Sequence, residues 1–507
     1  MLLTCLMCFC GFIINEDDSH FYMSREPEQM TIEGLNAFVD QYAGTKVTHL
    51  FLCPNAMKAS YRSNVWDAIW DMAPSQVEPK DDPVATRWMA NAKLLHERGL
   101  DPYAVWIGRC REKGLSPWLS MRMNDVHNAD DVTSYIHSKF WIDHPDYWRV
   151  PGGAGWTDRA FDYAIPEVRE HHMKFIRELL ERYDPDGLEL DWMRFGYHFK
   201  PGHEGEGRAI LTQFMRDVRA LTREWSAKRG HAIQLGARVP TTPESAFGLG
   251  MDARTWAREG LIDMLVPTPF WATTDFDIPV EQWRKELGLP EIVVRASRLH
   301  GSVILAPGAE ILLRAYPGAE AIPNDIMSIR GFAASCLERG ADQIYTFNYM
   351  DPAPMTGGPE DYRMLLDQGL DLGLVTSLAR RHPVTYRDTV APGMSNGAQL
   401  PAETRNGAEF KIHIGPAPKQ GEARFVAGLA AKDAVADAKF ETRINGVPCE
   451  SLADLDNPGQ FPGAARTVQF QCPLDSLKDG FNSVAIRQAS TGPDQQIVWA
   501  ELRIYPH

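Results

Sequence analysis

The stretch Asp186-Gly-Leu-Glu-Leu-Asp-Trp-Met-Arg194 carries the strongest chemical signal in the chain. At a period of two, Gly187, Glu189 and Asp191 share one face and Leu188 and Leu190 the other. A strand patterned in this way buries its leucines. Unpaired buried carboxylates are costly, so the two acids must line a polar cavity or meet cations. Two carboxyls at a strand end can divide the work of proton donor and of base or nucleophile. Asp191 lies about 6.8 Å further along the strand than Glu189. Asp191 is therefore read as the reactive acid, and Glu189 as the deeper, orienting one, held by Arg122 or Arg238.

Other apolar runs end in residues that would complement such a pair. In Pro117–Met123 the alternation turns Leu119, Met121 and Met123 one way, and Ser120, Arg122 and Asn124 the other, with Asp125 and His127 following. Arg238 shares a face with Gln234 and Gly236. Arg122, Asn124, His127, Arg238, Asn348 and Asp18 are candidate substrate-binding residues, able to hydrogen-bond hydroxyls or clamp an anionic group. Trp271 and Tyr349, also at run ends, are candidate stacking platforms. Glu310, in Ala306-Pro-Gly-Ala-Glu310, is the best candidate for a second reacting carboxyl from another strand.

The acids and histidines of Asn15-Glu-Asp-Asp-Ser-His20, with Asp125, His127, Asp130 and Asp131, are of the type that suits Ca²⁺ or a divalent transition metal. Their spacing completes no ligand motif, so no metal and no cofactor are expected, a structural cation such as calcium standing as the alternative. The chain contains neither a Gly-x-Ser-x-Gly elbow nor a phosphate-binding Gly-rich loop, which removes the common serine-hydrolase and nucleotide readings.

These residues need elements to hold them. Eight short apolar runs recur: Phe12–Asn15, Val47–Cys53, Pro117–Met123, Gly187–Asp191, Ile233–Val239, Ile262–Pro267, Ser302–Ala306 and Gln343–Asn348. Helical stripes follow most of them, as in Val168–Tyr183, Ala209–Trp225 and Asp325–Arg339, the last stopped by Gly340. Strand-then-helix units repeated eight times predict a (β/α)8 (TIM) barrel over residues 11–384, with reactive groups at the carboxyl ends of its strands. A doubly wound open sheet is the alternative, but it more naturally shows a Gly-rich phosphate turn. Beyond about Thr385 short strands alternate with Gly, Pro, Asn and Asp turns: Phe410–Ile414, Ala423–Ala427, Phe440–Ile444, Val468–Cys472, Ser483–Arg487 and Ile497–Ile504. This predicts a smaller all-β sandwich of the jelly-roll kind over 385–507, with Arg387–Arg405 as linker or first loop.

Bulk properties narrow the partners. A 507-residue chain is long enough for two domains, and its net charge of −15 makes nucleic acid a poor partner. Fourteen Trp and fifteen Tyr supply flat apolar faces that stack well on sugar rings. No stretch reaches membrane-spanning length. Met1–Cys10 is apolar like a signal peptide, yet lacks a cationic start and a small-residue cleavage site. A truncated signal would place the protein outside the cytoplasm, and otherwise it is cytoplasmic. Of eight cysteines, three crowd this segment, while Cys449 and Cys472 are a candidate pair, oxidised or reduced. Oligomeric state is not legible.

Asp186-Gly-Leu-Glu-Leu-Asp-Trp resembles the strand-four signature Asp-Gly-x-Asp-x-Asp-x-Glu of family-18 chitinases, but Met193 stands at the position of the proton-donating Glu, so that mechanism does not carry over. Tyr183-Asp-Pro-Asp-Gly-Leu-Glu-Leu-Asp-Trp-Met-Arg194, with Ser120-Met-Arg-Met-Asn-Asp-Val-His127, resembles the bacterial glycoside-hydrolase-like barrel proteins labelled family 10-like. That resemblance implies a carbohydrate partner and glycoside hydrolysis. By analogy with retaining barrel glycosidases, Asp191 would be acid/base and Glu310 nucleophile; in barrels acting on α-linked sugars the strand-four Asp is the nucleophile. Two arginines facing the cavity favour an anionic sugar. Glu441-Thr-Arg-Ile-Asn-Gly-Val447 and Leu477-Lys-Asp-Gly-Phe-Asn-Ser-Val484 resemble galactose-binding-type jelly rolls. The competing functions are a polysaccharide lyase, with His127 or a tyrosine as base, and a non-catalytic carbohydrate-binding barrel.

Overall fold

The structure, a computed structural model, describes residues 11–290, 303–351, 355–456 and 460–507. The expectations for Met1–Cys10, including its three cysteines, and for Ser302 fall outside these residues.

A mixed α/β architecture is built around one curled, all-parallel sheet. Its strands are β1 (Phe12–Glu16), β2 (Val47–Leu52), β3 (Ser116–Arg122), β4 (Gly187–Asp191), β5 (Gln234–Val239), β6 (Met264–Pro267), β7 (Ile304–Leu305) and β8 (Gly308–Glu310). After a small antiparallel hairpin, β9 (Leu312–Leu313) and β10 (Ile322–Pro323), comes β11 (Tyr345–Phe347). The sheet order is β7-β6-β5-β4-β3-β2-β1-β11-β8. The two terminal strands are successive pieces of one stretch, interrupted at Ala306-Pro307. Pro307 has no N–H to give to a ladder, yet its carbonyl accepts from the Tyr345 N–H at 3.1 Å. Glu310 therefore ends a strand paired with β11, and does not lie in a loop after the expected Ser302–Ala306 run.

The alternation predicted for β3 and β4 holds. Leu119, Met121, Leu188 and Leu190 join the large outer core beneath the helices, while Ile13, Phe51, Trp118, Met264, Val266, Tyr345 and Phe347 form a separate cluster on the inner face. Gly187 is required there, because a Cβ would fall 2.3 Å from the Trp118 ring. The helices follow their sequence signals. Pro166–Arg182 carries proline in its first turn, Glu204–Arg229 ends at Gly230 with φ 78°, and Ile326–Glu338 is capped by Asp325 accepting from the Ser328 N–H at 2.6 Å.

The remainder of the chain forms two antiparallel sheets, six-stranded and four-stranded, which face each other with Phe410 stacked on Phe425 at 6.1 Å. Arg380–Pro383 already pairs with the last strand, Gln496–Tyr505, so the six-stranded sheet recruits residues ahead of Thr385. Cys449 and Cys472 are thiols with their sulfurs 3.8 Å apart. Among the described residues no helix is long and apolar enough to cross a membrane.

Candidate active site at the strand ends

Register brings Arg122, Asp191 and Arg238 side by side on β3, β4 and β5, one step beyond the row Ser120, Glu189 and Gly236. The side chains then sort themselves by partner. Arg238 Nη1 donates to Asp191 Oδ2 at 2.9 Å, while Asp191 Oδ1 accepts from the backbone N–H groups of Met193 at 2.9 Å and Arg194 at 3.1 Å. Asp191 thus fixes the turn that follows its own strand. Arg238 also donates from Nε to Thr268 Oγ1 at 2.7 Å and from Nη2 to the Pro269 carbonyl at 3.0 Å, and its guanidinium lies 3.9 Å from the Phe347 ring centre. Burial opposes its charge, but Asp191 and the neighbouring Tyr345, Glu189 and Glu310 reverse this and hold its pKa above the usual value.

Glu189 lies one layer down and pairs with neither arginine, contrary to the expectation. Ser120 Oγ donates to its Oε2 at 2.5 Å and Tyr345 OH at 3.0 Å, and Tyr345 in turn accepts from Asn15 Nδ2 at 2.6 Å. Arg122 is drawn away by the loop after β1, and Arg238 is spent on Asp191. Burial first, and then the charge of Asp191, raise the pKa of Glu189 and favour its protonated form.

Arg122 sits among three carboxylates. Nη1 reaches Asp18 at 2.9 Å and Asp125 at 3.2 Å, and Nη2 pairs with Asp17. Asp17 and Asp125 are held well below the ordinary carboxylate range because their neighbours, Arg122 beside Asp17 and His127 and Arg122 beside Asp125, overcome burial. Asp18, buried beside both of them, is driven up. Asp125 Oδ1 accepts from Nδ1 of the half-buried His127 at 2.7 Å.

Glu310 is 1% exposed, as is Asp191. Asn348 Nδ2 donates to Glu310 Oε1 at 2.8 Å, whereas Oε2 is buried without a partner among the described residues. Asn348 reaches this position from the left-handed conformation, φ 63°. Burial pushes Glu310 up to about 7, against the Asn348 amide and the charges of Arg194 and Arg238. Arg194, 8% exposed, joins the two halves of the site: it senses Arg122, Asp17 and Asp125 on one side and Glu310 on the other. Its Nε and Nη1 have no acceptor among the described residues, and the guanidinium rests on Phe347 at 5.1 Å and Phe270 at 5.7 Å.

No family model matches the chain. Curated relatives are distant. The glycosyl hydrolase DigH of Escherichia coli (strain K12) is 21% identical over 262 residues, covering 43% of this chain and 55% of that protein. The glycosyl hydrolase YngK of Bacillus subtilis (strain 168) is 22% identical over 229 residues, 37% of this chain and 43% of that one. The chain spans about half the length of the curated relatives it matches. Among solved structures, α-L-fucosidase isoenzyme 2 from Paenibacillus thiaminolyticus superposes with TM-score 0.42 at 12% identity, covering 70% of this chain and 48% of that one. The maltogenic α-amylase AmyB from Thermotoga neapolitana gives 0.37 at 10% identity, covering 99% and 100%. Similarity this loose assigns neither residue roles nor a substrate.

Of the sequence-derived candidates, Arg238 meets Asp191 and Asn348 meets Glu310, while Arg122 pairs with Asp18 and is joined to His127 through Asp125. Trp271 stands at the rim, 42% exposed, with the Arg314 guanidinium 5.1 Å from its ring centre. Two candidates drop out. Asn124 is buried with its amide committed to the Phe161 carbonyl at 3.0 Å, the Tyr197 carbonyl at 2.8 Å and the Phe161 N–H at 2.9 Å, so it staples loops. Tyr349 is buried in the outer core and offers no stacking face, because the chain twists it away from the mouth one residue after Asn348.

Sequence reasoning noted Arg194 at a strand end without giving it a role, and passed over Trp156. Trp156 is 43% exposed and lies parallel to Phe270 at 5.9 Å, in a patch with Phe195 and Tyr197. It comes from the long β3–β4 connection, where no periodicity could have placed it. Of the acids and histidines that suited the alternative of a structural cation, Glu16 and His20 meet Asp351, with one ligand atom each within 4.8 Å of one another, but Glu16 already accepts from Tyr42, and Asp351 pairs with Arg25 at 2.6 Å.

Proposed function

We propose that this chain is a glycoside hydrolase whose parallel sheet closes as a (β/α)8 barrel and whose chemistry lies with Asp191 and Glu310. Closure is supported by register. From Gly187 the pairing runs through Trp118, Phe51, Asn15 and Phe347 to Glu310. From Glu189, two residues on, it runs the other way through Gly236 and Met264 to Ile304, six residues before Glu310. Together these give a stagger of about eight residues, that of an eight-stranded α/β barrel.

The observation that carries the activity is the opposite treatment of two carboxyls at the ends of separate strands, β4 and β8. Asp191 is paired with Arg238 and two backbone N–H groups, whereas burial raises the pKa of Glu310 to about 7 and leaves one of its oxygens unpartnered. Environments that drive two acids apart define a donor and a base or nucleophile. On this reading Glu310 protonates the glycosidic oxygen from Oε2, and Asp191 supplies the negative charge, either attacking the anomeric carbon or activating water. Trp271 and Trp156 offer stacking faces for the sugar chain, and Arg194 brings buried N–H groups that have no acceptor among the described residues. The names of the distant relatives agree with this class of reaction.

A second reading rests on the Asp125–His127 dyad, which could serve as the base of a uronate lyase next to Arg194. A panel of polysaccharides and oligosaccharides, followed by reducing ends and by ultraviolet absorbance together, tests both. Hydrolysis releases reducing ends without absorbance, and Asp191→Asn and Glu310→Gln abolish it. A new absorbing double bond lost with His127→Gln would replace the hydrolase reading, and hydrolysis retained in Asp191→Asn would overturn it.

A further inference from the structure

The rim of the site is built partly by chain beyond the parallel sheet. Residues 384–391, of which those from Arg387 on were expected in a linker or first loop, cross the segments after β4, β5 and β6. The Val384 N–H donates to the Ala500 carbonyl at 2.8 Å, tying the segment to the last strand of the antiparallel sheet. Thr385 Oγ1 accepts from the Phe276 N–H at 3.3 Å, and Arg387 approaches Asp275 at 3.4 Å and Asp277 at 3.5 Å. Ala391 packs so tightly on the loop after β5 that a Cβ at Gly248 would lie 2.5 Å from its own.

At the centre of this crossing, one carboxylate gathers three consecutive backbone N–H groups. Asp388 Oδ1 accepts from Phe270 at 2.9 Å, and Oδ2 accepts from Trp271 at 3.0 Å and from Ala272 at 2.9 Å. On its other side the same turn presents the Pro269 and Phe270 carbonyls to Arg238 Nη2, at 3.0 and 3.4 Å. A continuous hydrogen-bonded path thus runs from Asp191 through Arg238 and the Thr268–Ala272 turn to Asp388. Trp271, the exposed ring on that turn, is further bracketed by Arg314, whose Nη1 donates to the Ala272 carbonyl at 2.8 Å.

We propose that Asp388 is a positioning residue of the active site, setting the turn that presents Trp271 to the sugar chain. The claim rests on the glycoside-hydrolase reading for its substrate. Three N–H groups aimed at one point cannot all be satisfied by a neutral side chain of similar size. In Asp388→Asn the amide NH₂ would face backbone donors, and in Asp388→Ala the three N–H groups would lose their acceptor. Either change frees the turn while leaving the reacting carboxyls in place, so the loss falls mainly on binding.

The test is a double-mutant cycle on the full chain, using the best oligosaccharide from the panel. Asp388→Asn and Trp271→Ala are each expected to raise KM about tenfold with a smaller change in kcat, and the double variant to lose little more than either alone. Additive losses, or a kcat loss with KM unchanged, would overturn the positioning role. Hydrogen exchange is read in parallel: the amides of residues 270–272 should exchange much faster in Asp388→Asn while β4 and β5 keep their protection. Unchanged exchange there overturns the proposal even if the wild-type chain cleaves nothing on the panel. That last result counts against the hydrolase reading alone.

Discussion

Asp191 and Arg238 stand in register on adjacent parallel strands, and their side chains form a fully buried ion pair at 2.9 Å. A carboxylate and a guanidinium taken out of water together are stable only while both remain and their other valences are filled, as here by the Met193 and Arg194 N–H groups, Thr268 and the Pro269 carbonyl. The pair holds the Asp191 carboxyl in one place at the end of β4.

Breaking the pair should therefore cost both stability and activity. Asp191→Asn leaves Arg238 without its counter-charge and is expected to lower unfolding stability by about 3–5 kcal/mol. It should also cut turnover by about 10²–10⁴-fold. Arg238→Lys keeps the positive charge beside Asp191 but cannot reach Asp191, Thr268 and the Pro269 carbonyl at once, so it should show a smaller version of both losses. Urea unfolding and initial rates on one substrate check both. Full turnover in Asp191→Asn would remove this residue from the chemistry.

The pH profile follows from Glu310. Burial lifts its pKa to about 7, and the proton-donating form lies below that value, so kcat/KM should fall as pH rises through about 7. The Asn348 amide donates to Glu310 and favours its ionised form. Asn348→Gly keeps the left-handed backbone and deletes the amide, so the alkaline limb should move to higher pH with folding intact. A limb that stays in place, or moves to lower pH, would separate Glu310 from the titration.

The frame of this site was legible in the sequence because period-two alternation fixes which residues of a strand face inward. Gly187–Asp191 was bounded correctly, and the inward turn of Arg122 and Arg238 followed from parity alone. Which acid each arginine meets was not legible. Parity places Arg122 beside Asp191, but the loop after β1 brings Asp17 and Asp18 closer, and loop paths carry no periodic signal. Tyr349 failed for a related reason. The residue after a left-handed Asn348 no longer obeys the alternation of the strand before it. Asp388 was hidden inside a Pro- and Gly-rich stretch whose composition marks turns and says nothing about which loop they will seat against.

Glu189 makes a prediction about stability. Its folded pKa is raised above the value of an unfolded carboxyl, so the stability it contributes is complete below the unfolded pKa and is lost as pH rises through the folded one. The thermal midpoint should accordingly decline from the ordinary carboxylate range toward mildly alkaline pH. Glu189→Gln keeps an oxygen for Ser120 and Tyr345 and carries no charge at any pH, so it should flatten that decline and leave the midpoint near pH 5 little changed. A decline of the same slope in Glu189→Gln would show that the charge responsible lies elsewhere.

Arg194 offers the sharpest separation of function from stability. A buried guanidinium whose Nε and Nη1 meet no acceptor among the described residues, and whose pKa is lowered by burial and by Arg122, costs the fold free energy. Such a group is retained for what it does when a ligand arrives. Arg194→Met keeps the contacts with Phe270 and Phe347 while removing charge and donors. The thermal midpoint should hold or rise, and kcat/KM should fall by about tenfold or more, the loss of one or more hydrogen bonds between a cation and the substrate. The opposite pattern, a lowered midpoint with kcat/KM retained, would assign Arg194 to the electrostatic balance of Asp17, Asp125 and Glu310 instead.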